Sequence, residues 1–296
     1  MRRNLDMALI DFILNLAAML LWFHWRAARS EAQPGSAATT LESRPKRNRF
    51  FPWLSWSSLV ALLALLYGRA LVYRLLGPSV DWTATLDLGL ITFFFRTEQL
   101  SLMLLFSFLS FVRVLVLAYS WLLVISIINR RVPATDPICR LIRRQLGPVA
   151  AWPIYAQLAL PWLLVLSAWP GVHALLTYAR IADPLPTFGV LMLQGYLISL
   201  GILLTLKYLI PPLLLVELIT RYIYFGSSPF WDFLGATARN ALGPLQRLPL
   251  RIGRLELAPL VGIALTLLLL HELPLLVLHE LRWSFLVVER IWNFVS

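Results

Sequence analysis

The feature that most constrains this chain is an apolar run from Gln99 to Asn129, which contains a single charged residue, Arg113. About 20 apolar residues are enough for a helix to cross the roughly 30 Å hydrocarbon core of a bilayer. The rest of the chain is of the same kind, since 59% of its 296 residues are hydrophobic and 14% are charged, against about 25% charged residues in soluble domains. The composition excludes a soluble globular enzyme, a disordered chain and a coiled coil, and it predicts an all-α, polytopic helical membrane protein.

Other apolar runs bring the predicted number of spans to five or six. They cover about residues 7–25, 53–76, 152–176, 187–225 and 257–278. The first run is short and contains Asp11 and Asn15, so a membrane anchor, an interfacial helix and a cleaved signal peptide remain open for it. The fourth run is too long for one span, and Pro211 and Pro212 predict a kink or break in its helix because they remove amide donors.

The distribution of basic residues predicts the orientation of the spans. The chain carries 26 Lys and Arg against 15 Asp and Glu, a net charge of +11. Residues 26–52, 129–152 and 221–256 hold 16 of the 26 basic residues, and they alternate with loops that hold one each. Cytoplasmic loops are enriched in Lys and Arg, so we expect these three stretches on the cytoplasmic side. The single cysteine, Cys139, excludes an internal disulfide framework.

The two later basic stretches resemble each other, which predicts a tandem repeat. A shift of 104 residues without gaps places Arg143 on Arg247 and Leu146 on Leu250. Each stretch follows a long span and precedes a proline-containing one, and internal repeats of this kind build many helical membrane folds. Because both stretches are expected on one side, the predicted repeats are parallel, each with a span, a basic amphipathic loop helix and a second span.

The first of these loops has the pattern of a basic amphipathic helix. Ile138, Leu141, Ile142 and Leu146 recur at helical spacing, and the arginines among them fall on the other face. Such a helix is typical of an anionic membrane surface, where each basic residue adds about 1 kcal/mol of attraction. Ordinary positive-inside topology explains the same loops and stays open. The residues predicted to face lipid or a partner are Arg140, Arg143, Arg144, Arg239, Arg247, Arg251 and Arg254.

Several of these segments resemble the YggT family of integral membrane proteins. Residues 135–144, TDPICRLIRR, resemble the family's "TDP…RPIRR" signature. The other parts that carry the resemblance are residues 240–249, residues 253–261, and the span with Arg113 and Tyr119-Ser120-Trp121, which is similar to the family's "R…LSW" helix. The resemblance covers about residues 98–280.

The resemblance implies two repeats of two spans each, in a bacterial-type inner (plasma) membrane with the basic loops in the cytoplasm. YggT-type proteins have been linked to osmotic or ion tolerance, to septum and nucleoid organisation, and to cytochrome assembly in plastids. The resemblance implies this range of functions and does not choose within it.

Charged residues inside the spans are further candidates for function. A mid-membrane arginine costs about 2.5–3.5 kcal/mol on insertion scales, so we expect Arg113 to face the bundle interior. The 104-residue shift places Glu217 opposite it, and we predict an intramembrane Arg113–Glu217 ion pair, with a pair that only fixes helix register as the alternative. Lys207, Pro211 and Pro212 are candidates for an ion or solute pathway, because broken helices with nearby charge form such sites in transporters. A kinked helix with a snorkelling lysine is the alternative.

These features divide the chain into six parts. They are a membrane anchor or interfacial helix (1–25), a basic polar linker (26–52), an extra span with a short re-entrant or interfacial segment at Leu88–Phe95 (53–97), two YggT-like repeats (98–186 and 187–281) and a C-terminal interfacial helix (282–296).

The predicted function is non-enzymatic. The chain has no nucleotide-binding glycine loop, nucleophile motif or paired carboxylate motif, so we predict no catalytic residues, no metal and no cofactor. We expect a membrane organiser or assembly factor whose basic loop helices contact anionic lipid headgroups, a membrane or cytoplasmic protein partner, or a second copy of the chain. The alternative is a small-solute or ion transporter or channel involved in osmotic or ion tolerance. The basic loops are short and lack interleaved aromatic residues, so we expect no nucleic-acid binding.

Overall fold

The structure is a computed structural model that describes most of the chain. The described residues are 2–32, 52–80, 82–89, 91–132, 136–184, 187–220, 223, 226, 228–243, 245, 251–252 and 255–272. The C-terminal helix predicted over 282–296 lies outside them, as do Arg247, Arg254 and most of the basic linker.

The described part of the chain is an all-α, polytopic helical structure, as predicted. Its α-helices are α1 (Arg2–Ala32), α2 (Pro52–Val80), α3 (Leu100–Ile128), α4 (Pro137–Leu146), α5 (Ile154–Tyr178), α6 (Phe188–Leu204), α7 (Ile210–Thr220), α8 (Pro229–Ala241) and α9 (Ala258–Leu267). Five helical segments are long and apolar enough to cross a membrane: Met7–Arg29, Trp56–Pro78, Leu100–Ile128, Ile154–Tyr178 and Phe188–Thr220. The predicted last span begins with a shorter apolar helix, Ala258–Leu270.

The first apolar run forms a long helix. α1 continues to Ala32, past the predicted start of the linker at residue 26. Ala and Arg favour helix, and the residues that break the pattern, Pro34 and Gly35, come only later in the sequence. The segment from Met7 to Arg29 has the length and hydropathy of a membrane span.

A β-hairpin lies where a short re-entrant or interfacial segment was predicted. Strand β1 (Ala84–Asp87) pairs antiparallel with β2 (Thr92–Phe95), and alternate residues of both strands are buried, as expected for a pleat with one face on a core. In the turn, Gly89 has a φ of 94°, which glycine adopts without steric cost, and its N–H donates to Oδ1 of Asp87 at 2.9 Å. The apolar run Leu88–Phe95 therefore forms part of a turn and one strand, and not a segment of its own.

The apolar run over residues 187–225 is interrupted, as its prolines predict. α6 ends at Leu204, a 3-10 turn covers Thr205–Tyr208, and α7 begins at Ile210. Pro211 and Pro212 lie in the first turn of α7, where an N–H group has no partner within the helix. The break therefore precedes the prolines, and the predicted interruption is confirmed.

The chain divides into two compact units. Unit 1 comprises Met1–Leu122 and Leu141–Ser199, and unit 2 comprises Leu123–Arg140 and Leu200–Ser296. In unit 1, aromatic residues of the hairpin pack on the helices, because Phe95 lies 5.4 Å from Phe106 of α3 between ring centroids. The hairpin thereby covers the start of α3 within this unit.

In unit 2, helix α7 packs against α8 and α9. The packing is close at Gly262 of α9, where a Cβ atom would lie 2.9 Å from the side chains of Leu214 and Leu242. Two short strands, β3 (Arg251–Ile252) and β4 (Leu255–Glu256), pair antiparallel just before α9.

The described helices agree with the register of the predicted repeat at one place, where α5 begins at Ile154 and α9 at Ala258, and they differ from it at another. The 104-residue shift maps α4 onto residues 241–250, whereas α8 ends at Ala241, where the shifted helix would begin. The repeat therefore stays a prediction.

Candidate functional site

A buried charged network joins the first helices of unit 1. The guanidinium of Arg69 in α2 donates from Nη2 to Oδ1 of Asp11 and from Nη1 to Oδ1 of Asn15, each over 2.6 Å. Its Nε donates to the hydroxyl of Tyr73 at 2.8 Å. The side chain of Arg69 is 0% exposed and that of Asp11 is 27% exposed. The two opposite charges are therefore paired within the helix bundle of the unit.

Three further hydrogen bonds close the network. The Tyr73 hydroxyl donates to Oδ1 of Asp11 at 2.7 Å, and Nδ2 of Asn15 donates to Oδ2 of Asp11 at 3.0 Å and to Oγ of Ser110 in α3 at 3.1 Å. Asp11 and Asn15 are one helical turn apart, as are Arg69 and Tyr73, so each pair lies on one face of its helix. Both carboxylate oxygens of Asp11 accept hydrogen bonds, which offsets the cost of taking the charges out of water.

Aromatic rings surround the guanidinium. Cζ of Arg69 lies 5.4 Å from the ring centroid of Tyr73 and 6.0 Å from that of Phe106. Trp82 completes a cluster with these two rings, at centroid distances of 5.1 and 6.1 Å. An unpaired charge is costly in such apolar surroundings. The network has the properties of a structural ion pair that fixes α1 against α2 and α3.

Sequence reasoning found two of the five residues of this network. Asp11 and Asn15 stand out as polar residues in the first apolar run, whereas Arg69, Tyr73 and Ser110 were missed. A usable signal exists, because Arg69 and Tyr73 repeat the four-residue spacing of Asp11 and Asn15 in the next span, with the opposite charge.

The predicted basic loop helix is present as α4. Its start is fixed by Asp136, whose Oδ1 accepts hydrogen bonds from the backbone N–H groups of Ile138 at 2.8 Å and Cys139 at 2.9 Å. An aspartate at this position satisfies helix N–H groups that lack partners within the helix. Pro137, the first residue of α4, has a φ suited to that position. This local chemistry explains why the TDP segment begins a helix.

The second half of α4 is attached to the C-terminal part of α1. Nη2 of Arg144 donates to the carbonyl oxygen of Ala27 at 2.6 Å, and Nε2 of Gln145 donates to that of Phe23 at 3.3 Å. Ala27 and Phe23 are one turn apart on α1, so both bonds meet the same helix face. One side of α4 is thereby fixed to the membrane-spanning part of unit 1.

The outer side of α4 combines a charged residue with an apolar one. Arg140 is exposed and Leu141 is 53% exposed, whereas Ile142 and Leu146 are buried. The prediction that the apolar face with Leu141 lies on a membrane surface stays a prediction. α4 contacts α1 through Arg144 and Gln145, and the side chains of Arg140 and Leu141 are neighbours on the exposed side.

The other residues predicted to face lipid or a partner differ in how they are placed. Arg143 and Arg144 are half-buried, and the side chain of Arg239 on α8 is 57% exposed. Arg251 lies in β3, with its side chain outside the described part, and Arg247 and Arg254 lie outside the described residues.

The residues predicted for an ion or solute pathway lie at the helix break of unit 2. Lys207 is half-buried in the 3-10 turn, and its Nζ lies 5.3 Å from the ring centroid of Tyr208. Pro211 and Pro212 follow in the first turn of α7. Glu217 of α7 lies ten residues after Lys207, which is about 15 Å at 1.5 Å per residue. Lys207 and Glu217 are therefore not brought together in one local site.

Glu217 is buried beside α8. Its carboxylate is 3% exposed, and Oε2 lies 3.9 Å from Nη1 of Arg239. A Cβ atom on Gly235 would lie 3.3 Å from Oε2, so the glycine allows α8 to approach closely. Arg113 is half-buried in α3 and belongs to unit 1, where it forms no ion pair with the described residues of that unit. The Arg113–Glu217 pair stays a prediction.

A chain of neutral hydrogen bonds also joins parts of unit 2. Nδ2 of Asn129 donates to Oγ1 of Thr237 at 2.7 Å, and Nδ2 of Asn240 donates to Oδ1 of Asn129 at 3.0 Å. The Thr237 hydroxyl in turn donates to the carbonyl oxygen of Phe233 at 2.7 Å. These bonds tie the end of α3 to α8, and sequence reasoning missed them because amide and hydroxyl residues at helix ends have many partners available.

The comparisons with known proteins add no family to these findings. No protein-family model, no curated protein and no solved structure matches the chain. Within the part of the chain that the structure describes, no three His, Cys, Asp or Glu side chains are grouped as metal ligands. The YggT resemblance therefore stays a prediction that rests on its sequence motifs.

Proposed function

We propose that this chain is a non-enzymatic membrane protein that acts as a membrane organiser or assembly factor through α4. The observation that carries the proposal is the exposed Arg140–Leu141 pair on a helix whose other side is attached to α1. We place the protein in a bacterial-type inner (plasma) membrane with its basic stretches in the cytoplasm, in accord with the charge distribution and the YggT-type motifs.

The physical basis of the proposal is a preorganised amphipathic surface. A guanidinium binds phosphate or carboxylate, and a neighbouring leucine enters the acyl boundary or an apolar groove. Because Arg144 and Gln145 already fix the helix to α1, little conformational freedom is lost when the surface binds. Anionic headgroups, a membrane or cytoplasmic protein, and a second copy of the chain all offer suitable groups.

The chain offers a matched control for this proposal. Arg74 and Leu75 of α2 are also adjacent and exposed, Leu75 by 74%. We would purify the full chain from its native host in mild detergent, as wild type and as the double variants R140Q/L141A and R74Q/L75A, and quantify bound protein and lipid by mass spectrometry. A stoichiometric component that only R140Q/L141A loses supports the proposal. The absence of such a component in the wild type, or its equal retention in both variants, overturns it.

The helix break in unit 2 favours transport of an ion or small solute as a second candidate function. A charge beside an interrupted helix is the arrangement found at coupling sites of transporters, and Lys207 lies within the interruption. Arg113 and Glu217 would be further lining residues of such a pathway.

Ion or solute flux into proteoliposomes tests this second function. We expect K207Q to abolish the flux and K207R, which keeps the charge, to retain it. Absence of flux with the wild type, at a protein density where a control channel is detected, rejects transport for the ions and solutes tested.

A further inference from the structure

The junction of α1 with the end of α4 contains an arginine, Arg26, whose guanidinium contacts an aromatic ring and no hydrogen-bond acceptor among the described residues. Arg26 is half-buried, and its Cζ lies 5.5 Å from the ring centroid of Tyr119 in α3. Among the described residues its guanidinium stacks on this ring and makes no hydrogen bond or ion pair. Stacking uses the flat face of the group and leaves its N–H edge available.

The ring that supports Arg26 is itself fixed. Nε1 of Trp22 donates to the Tyr119 hydroxyl at 3.1 Å, and Phe23 packs edge-on against the ring at a centroid distance of 5.9 Å. On the other side, α4 ends just before Gly147, whose φ of 62° is favourable for glycine after a helix C-terminus. A Cβ atom on Gly147 would lie 3.5 Å from Nη2 of Arg26, so the chain passes directly beside the guanidinium.

The junction lies at the end of a candidate span and is positively charged, so it is suited to bind an anionic lipid headgroup. The candidate span of α1 ends at Arg29, which places Arg26 about one helical turn from the end of the span. Arg29 lies on the same face and stacks on Trp25, with Cζ 5.3 Å from the ring centroid. Residues 22–29 and 141–151, which form the two sides of the junction, contain four arginines and no carboxylate residue. Aromatic and basic residues of this kind are typical of the membrane–water interface.

We infer that Arg26 binds the phosphate of an anionic phospholipid headgroup at this junction, with Arg29 as a second cationic contact. The inference rests on the proposed function, because it names the lipid that would occupy the membrane side of the α4 surface. A guanidinium offers two parallel N–H groups to phosphate oxygens, and the Tyr119 ring presets its orientation. A zwitterionic lipid would bind less well, because its ammonium group brings a positive charge next to these arginines.

Native mass spectrometry of the delipidated full chain in detergent tests this site, with phosphatidylglycerol and phosphatidylcholine as the added lipids. We expect preferential binding of phosphatidylglycerol by the wild type. R26Q removes a charge-assisted hydrogen-bond donor and should weaken that binding about tenfold or more. R26K keeps the charge without the planar fork and should give an intermediate value. R74Q, which removes an exposed arginine elsewhere in unit 1, should bind like the wild type.

Three outcomes overturn the inference. They are equal phosphatidylglycerol affinity in R26Q and the wild type, equal affinity of the wild type for both lipids, and displacement of phosphatidylglycerol by inorganic phosphate beyond the effect of chloride at the same ionic strength, which would identify a site for free phosphate. If R26Q does not fold, the comparison of R26K with the wild type decides. Retention of lipid by R26Q together with loss of the bound component in R140Q/L141A would reject this site and leave the proposed function standing.

Discussion

The two units of this protein place polar groups among apolar helices in different ways. Unit 1 pairs the buried Arg69 with the partly buried Asp11 over 2.6 Å within a closed set of hydrogen bonds. In the described part of unit 2, the neutral groups of Asn129 and Thr237 join the end of α3 to α8, and the ion pair between Glu217 and the exposed Arg239 is long at 3.9 Å. Loss of one charged partner in unit 1 leaves an uncompensated charge. Loss of one neutral partner in unit 2 leaves only an unpaired polar group, which costs less free energy.

This difference bears on which unit can move. A buried ion pair that loses a partner leaves an uncompensated charge, so the helices that carry it are held in one arrangement. Neutral hydrogen bonds are exchanged for others at a cost of about 1 kcal/mol each. Unit 1, which contains the second half of α4 from Leu141 onward, is thus suited to present a fixed surface, and any conformational change is expected in unit 2, where the helix break lies.

The largest expected loss of stability follows from breaking the ion pair between Asp11 and Arg69. D11N leaves the charge of Arg69 enclosed without a counter-charge, and we expect the free energy of unfolding to fall by about 3–5 kcal/mol. The double variant D11L/R69M replaces both charges by apolar groups and should recover most of that loss. Unfolding of the purified protein by increasing denaturing detergent, followed by circular dichroism, measures both values.

The double variant decides the interpretation of the network. The single variants D11L and R69M are measured beside it. If the loss in D11L/R69M equals the sum of the losses in D11L and R69M, Asp11 and Arg69 do not act as a pair, since partners in a network give a coupling energy.

The next effect concerns close packing in unit 2. G262A would place a Cβ atom 2.9 Å from the side chains of Leu214 and Leu242, and overpacking of this kind costs about 1–3 kcal/mol. G171A is the matched control, because a Cβ atom on Gly171, inside α5, would have no neighbouring atom within 4 Å, and alanine there should stabilise the helix by up to about 1 kcal/mol. Opposite signs of the change in unfolding free energy are expected, and equal signs would contradict the packing described for α9.

A smaller loss is expected from the neutral hydrogen-bond chain. N129A removes the donor to Thr237 and the acceptor for Asn240, and we expect a destabilisation of about 1–2 kcal/mol. N240A should have less effect, because Asn240 is exposed and water replaces its bond. If N129A lowers the free energy of unfolding as much as D11N does, the neutral network contributes as much to stability as the charged one.

The smallest effect is expected at the surface ion pair. R239Q should change the unfolding free energy by less than about 1 kcal/mol, because the arginine is 57% exposed and the pair is long. The predicted Arg113–Glu217 pair gives a contrasting expectation, since R113Q and E217Q should then show a coupling energy in a double-mutant cycle. Additive effects of R113Q and E217Q would show that Arg113 and Glu217 do not form an ion pair.

Local features of this fold were predictable from the sequence, and contacts between distant segments were not. The apolar run that contains Arg113 is a helix, the prolines mark an interrupted helix, and Asp136 starts α4, because each depends on neighbouring residues. Arg69 was missed because its partner lies 58 residues away in the sequence, and only helix packing brings the two together. The exposure of Leu141 depends in the same way on which side of α4 meets α1.

The hairpin was not predicted from the sequence for a different reason. The run Leu88–Phe95 is apolar enough to suggest a membrane segment, but its structure follows a two-residue alternation that starts at Ala84 and a glycine turn in the middle. An apolar core of the unit covers one side of each strand, so hydropathy alone does not reveal the alternation.

The measurement that tests the proposed role of α4 most directly is photo-crosslinking in cells of the native host, with a photoreactive amino acid placed at position 141 and, as the control, at position 75. Both residues are exposed leucines beside an exposed arginine. The proposed function predicts one dominant product at position 141, either a single protein or an anionic lipid, and only general lipid labelling at position 75. The same products at both positions, together with ion flux that K207Q abolishes, would contradict that role and favour transport.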